Sequence, residues 1–125
     1  MHKPKDPREL ATAILTRSKC RVQVGAVLTD AHGIHSWGWN SSGPTGLGLC
    51  AERHALFRAN HERLGGSILY VAARRARSRR IVHSRPCEAC ARAIVGRVPM
   101  VTYRNGEGAW VKVATKFLAL LYRPD

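Results

Sequence analysis

Acidic residues are scarce in this chain: 8 Asp and Glu stand against 21 Lys and Arg in 125 residues, a formal net charge of +13. That imbalance argues against cationic partners and favours polyanions, because a dense positive field raises the local anion concentration. Long apolar runs are missing too, and none approaches the roughly 20 residues of a membrane helix. The opening MHKPKDPREL has no apolar stretch behind its basic residues, so it does not read as a secretory signal. An intracellular, cytoplasmic protein with no membrane partner is expected. Cysteine is limited to four residues, too few for a secreted disulfide framework, and two of them form Cys87-x-x-Cys90. There is no internal repeat and no low-complexity linker, and the length suits one compact domain, 1–125.

The apolar content of 45% is enough for a packed core. Asp6-Pro7-Arg8-Glu9 starts a helix: Asp6 can cap, Pro7 suits the first helical position, and Glu9 lies in the positive first turn. Leu10, Ala13, Ile14 and Arg17 continue it at helical spacing to about Ser18. Alternation predicts strands over Arg21–Thr29 and Ile34–Asn40, joined by the turn Asp30-Ala31-His32-Gly33. Ser41–Gly48 is a Gly, Ser and Pro-rich loop. A helix is expected from about Cys50 to Leu64, stopped by Gly65-Gly66, then a strand over Ser67–Ala73 and a basic loop over Arg74–Arg80. Pro86 opens another helix that Gly96 closes. Met100–Tyr103 and Ala109–Val113 flank a turn-rich link that could join them as an antiparallel hairpin, and a last helix runs from about Val113 to Leu121. This order predicts an α/β fold, three α-β-α layers around a mixed five-stranded sheet.

The chemistry concentrates at two helix starts, Cys50-Ala51-Glu52 and Pro86-Cys87-Glu88-Ala89-Cys90. Cys87 and Cys90 are three apart and share a face of a first turn. Helix N-termini aimed at one spot favour thiolates, the form that binds Zn2+. Three protein ligands leave a fourth position for water, as in catalytic zinc sites, and Glu52 is placed to move protons. The cysteine pair alone could also be a redox pair or half of a closed structural site, with Cys20, His54 or His83 as a fourth ligand. The combined Cys-x-Glu and Pro-Cys-x-x-Cys pattern is the zinc-deaminase signature, in which the Glu is not a ligand.

CAERHAL at Cys50–Leu56 and RPCEAC at Arg85–Cys90 resemble the motifs of the cytidine deaminase superfamily. The resemblance extends over most of the chain, including VGAVLTD and Gly38-Trp39-Asn40. It implies Cys50, Cys87 and Cys90 as zinc ligands, Glu52 as catalytic proton shuttle, and Arg53 hydrogen-bonded to the cysteine sulfurs. By the same resemblance Asn40 binds the sugar and the Ala51 backbone N–H meets the base carbonyl. A Cys rather than His as first ligand tilts the reading towards cytosine, and the hairpin after Met100 looks like the nucleoside branch.

The chain also departs from that pattern. Nucleoside cytidine deaminases carry a second ribose-binding acid two residues after the Asn, where this chain has Ser42. Arg74, Arg75, Arg77, Arg79 and Arg80 crowd a loop that is often neutral or acidic there, and Arg85 adjoins the cysteine motif. From Glu52 to Arg104, twelve arginines stand against three glutamates. Weaker sugar recognition and stronger phosphate affinity point to cytosine in single-stranded DNA or RNA, with these arginines on phosphates. The alternatives are a free cytidine nucleoside or nucleotide as substrate, and a non-catalytic zinc module that binds nucleic acid. Of Trp37 and Trp39, which share a strand face, at least one is expected in the core.

Overall fold

The computed structural model describes residues 6–42 and 48–122. Residues 1–5 and 43–47, and with them the opening basic segment and most of the expected Ser41–Gly48 loop, lie outside the described residues.

The Asp6 carboxylate accepts the Arg8 backbone N–H and caps α1 (Pro7–Ile14), with Pro7 in the first turn, where a missing N–H costs nothing. A 3-10 turn, Leu15–Arg17, extends it. Strands β1 (Val22–Asp30) and β2 (Gly33–Trp39) form the expected hairpin; Gly33, at φ +113°, takes a conformation that other residues disfavour. β1 also pairs antiparallel with β3 (Ile68–Arg75). β3 pairs parallel with β4 (Met100–Arg104), and β4 pairs antiparallel with β5 (Trp110–Ala114) as the second expected hairpin. The sheet order is β2-β1-β3-β4-β5, a mixed five-stranded sheet.

Helix α1 covers one face, packing Ala11 and Leu15 on Val27 and Ala72. The other face carries α2 (Ala51–Arg58), α3 (Glu88–Ile94) and α4 (Thr115–Leu120), whose Ala55, Leu56, Ile94 and Leu118 meet Leu28, Leu69, Val71 and Val101. The fold is therefore the expected three-layer α-β-α arrangement. Two glycines set the layer spacing: a Cβ on Gly25 would lie 2.2 Å from the Ala11 carbonyl oxygen, and one on Gly38 2.6 Å from the Ala55 nitrogen.

Three expectations need correction. The helix expected over Cys50–Leu64 ends at Arg58, and a 3-10 segment, His61–Gly66, follows. Asn60 breaks it: its backbone is extended and its side-chain oxygen accepts the Glu62 N–H, a cap that competes with helix continuation. Arg74 and Arg75 belong to β3 rather than to a loop, because they pair with Gln23 and Val22 of β1. Pro86 precedes its helix instead of opening it; Cys87 is the N-cap of α3 and Gly96, at φ +81°, lies just past its end.

Candidate metal centre and active site

Cys50 and Cys87 are the N-caps of α2 and α3, so both helix starts meet at one place. The Cys50 Sγ lies 2.6 Å from the Cys90 Sγ, longer than the roughly 2.04 Å of a disulfide, and both cysteines are free. The Arg53 backbone N–H and Nε–H donate to the Cys50 Sγ at 3.4 and 3.3 Å. One possible ligand atom from each of Cys50, Glu52 and Cys90 lies within 4.8 Å of the others. Cys87 lines the same cavity and is exposed, but it is not in that mutual set.

The electrostatics follow from these contacts. The Cys90 thiol donates to Cys50 and, with the Arg53 guanidinium, brings the Cys50 thiol down to about 5. Cys90, as the proton holder of the pair, is pushed up. Glu52 is 5% exposed, and burial, with the Cys50 thiolate beside it, raises its carboxyl to about 7. Two sulfurs sharing a proton, a buried carboxyl at the same point and a third thiol in the cavity wall suit a thiophilic divalent cation, which displaces such protons on binding.

The cavity holds about 400 Å³. Its floor is the Cys50–Arg53 helix start with Cys87 and Cys90, and β1 supplies Val22 and Val24. Asn40, His83 and Arg85 line the rest. Of the residues singled out from sequence, Cys50, Glu52, Cys87, Cys90, Asn40, Ala51, Arg53 and Arg85 thus face one space. The arginine group does not line it. Arg74 is tied by its Nε–H to Gln23 Oε1 at 2.9 Å, while Arg75 at the end of β3, and Arg77, Arg79 and Arg80 in the turn after it, are exposed, Arg79 with φ +59°. That turn rises beside the cavity, since Arg75 pairs with Val22 and Ala73 is a wall residue.

Other expectations sort by contact. Asn40 spans β1: its Oδ1 accepts the Val24 N–H and its Nδ2 donates to the Val22 carbonyl, both at 2.9 Å. His54 Nδ1 faces the Trp39 backbone at 3.1–3.2 Å, and its ring meets Trp39 edge-on. Trp37 packs into the α1-side core, as expected for one of the pair. Sequence reasoning missed the cavity roles of Val22 and Val24. Their alternation signals a strand, but not which end of it meets a site.

The three-layer fold thus gathers three thiols and a buried carboxyl at two helix starts. The profile described as the cytidine and deoxycytidylate deaminase zinc-binding region matches residues 3–102, and the chain belongs to that family. No curated protein matches it by sequence. Among solved structures, a cytidine deaminase from Burkholderia pseudomallei is 26% identical with a TM-score of 0.72, over 90% of this chain and 92% of that one. A dCMP deaminase from the cyanophage S-TIM5 is 27% identical with a TM-score of 0.62, over 79% of each chain. A mutant cytidine deaminase from Mycobacterium tuberculosis, 22% identical with a TM-score of 0.54 over 75% and 77%, shares the fold. Among the described residues no helix is long and apolar enough to cross a membrane.

Proposed function

We propose that this chain hydrolytically deaminates cytosine to uracil within single-stranded DNA or RNA. The observation that carries the chemistry is the buried Glu52 carboxyl beside Cys50 and Cys90 at the floor of an open cavity. Cys50, Cys87 and Cys90 would hold Zn2+, which supplies the Lewis acidity that makes water a nucleophile near neutral pH. Glu52 takes the proton of the attacking water, passes it to the ring nitrogen and assists the departure of ammonia. Its burial suits both directions, because desolvation weakens the preference for the charged carboxylate and lets it accept a proton as well as return one. Arg53 fixes the Cys50 sulfur and offsets surplus thiolate charge. The Ala51 N–H is assigned to the base carbonyl and Asn40 to the sugar.

The wall of the site supports a phosphate-bearing strand. Glu52 is the one carboxylate lining the cavity among the described residues, while Arg85 stands at its edge and exposed arginines rise beside Val22. A target base must leave any stack to reach the cysteines. A second reading, a free cytidine nucleoside or nucleotide as substrate, draws on the similarity to the cytidine and dCMP deaminases, which spans 90% of the chain for the first. Mass spectrometry of products from cytidine, dCMP and a cytosine-containing single strand separates the two. Uracil in the oligonucleotide supports the polymer reading; turnover of monomers alone refutes it. Neutralising Arg75, Arg77, Arg79 and Arg80 to Gln should also flatten the salt dependence of oligonucleotide affinity by up to about 0.7 per lost phosphate contact.

A further inference from the structure

The catalytic cavity does not stand alone. Asn40 and Ser41 are shared with a second cavity of about 320 Å³, also lined by Arg17, Lys19 and Trp39. His83 and Arg85 are shared with a third, of about 260 Å³, that reaches Tyr103. The site thus adjoins two further cavities, one at Asn40 and Ser41 and one at His83 and Arg85.

The chemistry of the second cavity is specific. No carboxylate lines it among the described residues, and its two cations, Arg17 and Lys19, are exposed. His54 meets the Trp39 ring edge-on, with centroids 4.7 Å apart, and the guanidinium groups of Arg17 and Arg58 lie 5.2 and 6.0 Å from its centroid. Trp39 also directly precedes Asn40, so the aromatic platform and the catalytic cavity are consecutive along the chain. An aromatic ring beside two exposed cations matches a base with its phosphate, the pairing that single-strand binders use.

We propose that the Arg17–Lys19–Trp39 cavity is the subsite for the nucleotide adjoining the target cytosine. Its base stacks on Trp39, and Arg17 moves from the ring to the phosphate, which Lys19 also holds. This assignment rests on the polynucleotide reading above.

The test uses single-stranded pentanucleotides with one central cytosine, intact or with an abasic residue at either neighbouring position. Uracil formation is followed with the zinc-loaded full chain. Removing the base on one side should lower kcat/KM by at least about fivefold, the lower end of one base stack. In Trp39→Leu that penalty should vanish, because protein face and base then no longer couple. Zinc content and the melting temperature report whether Trp39→Leu is folded. The exposed pair Arg17→Gln and Lys19→Gln gives an independent measurement: the slope of log affinity against log salt should fall by up to about 1.4 for two lost contacts. An abasic penalty of equal size in wild type and Trp39→Leu, or an unchanged salt slope, overturns the subsite. Pentanucleotide turnover indifferent to both abasic positions removes the subsite alone; monomer turnover without pentanucleotide turnover removes the polynucleotide reading and the subsite with it.

Discussion

Glu52→Gln separates proton transfer from metal ligation more cleanly than any other substitution in the site. The side chain is 5% exposed and lies in the same 4.8 Å set as Cys50 and Cys90, so a carboxylate there could serve either role. Glutamine keeps the volume, avoiding the cavity that alanine leaves, but it cannot take up and return a proton. Losing general acid–base catalysis costs at least about a hundredfold in kcat, equivalent to about 2.7 kcal/mol in the barrier. Three cysteines remain, so zinc should stay near one per chain. The assay is paired: initial rates of uracil formation on the best substrate, and metal analysis of the same dialysed sample. A rate within tenfold of wild type refutes the proton role. Zinc lost in proportion to rate would place Glu52 among the ligands and return the chemistry to an unassigned group.

Cys87→Ser or Cys90→Ser should each strip the metal and lower the melting temperature, because the ion ties two helix starts together, whereas Cys20→Ser should change neither; metal analysis and calorimetry decide. Gly38→Ala places a methyl 2.6 Å from the Ala55 nitrogen and 2.8 Å from the His54 Cβ, so overpacking of about 1–3 kcal/mol should lower the melting temperature by several degrees. An unshifted melting curve would show that α2 and β2 are not held as tightly as these contacts imply. His35 supplies a pH test. Its Nε2 is 2.8 Å from the Ser67 hydroxyl, which already donates to the Arg63 carbonyl, so Nε2 carries the proton and the buried Nδ1 has no partner. Burial first, and the Arg63 charge second, hold the imidazole below its ordinary value. The unfolded chain then binds the extra proton first, so this stabilisation is complete above about pH 6.5 and is lost as pH falls below it. Melting temperatures from pH 8 to pH 5 should fall more steeply for wild type than for His35→Phe, and parallel curves would show that burial does not hold the imidazole down.

What was legible in the sequence was local. Asp6-Pro7 announces its helix because a cap and a first-turn proline are short-range devices, and both hairpins show as alternating runs around turns. The cysteine motifs reveal helix starts because Cys50 and Cys87 stand at the N-cap positions of α2 and α3. The helix break at Asn60 was hidden, since Leu56 and Leu64 are compatible with an unbroken apolar stripe and a single Asn side chain decides the matter. Arg74 and Arg75 looked like loop because of their charge; they became strand because Gln23 and Val22 lie across from them, some fifty residues earlier in the chain. The second cavity was hidden for the same reason. Arg17 and Trp39 meet only when α1 and β2 are brought to one edge of the sheet.

Asn40 joins the fold to the proposed chemistry. Its amide satisfies two backbone groups of β1, at Val22 and Val24, where the end of β2 leaves that strand without a full ladder partner. An amide offers two N–H donors and two acceptor lone pairs. One donor and one acceptor are already used, so a sugar could draw on only the remaining pair. Position 42 is serine, and among the described residues Glu52 is the one acidic side chain lining the cavity. A substrate oriented by its sugar alone would therefore be weakly held, whereas one carrying phosphates has Arg85 at the edge of the cavity and Arg17 and Lys19 beyond Asn40. In the proposed complex the structural duty of Asn40 and the excess of positive charge are two sides of one arrangement: recognition moves outward from the ribose to the strand, and the floor of the cavity is left to Cys50, Glu52, Cys87 and Cys90.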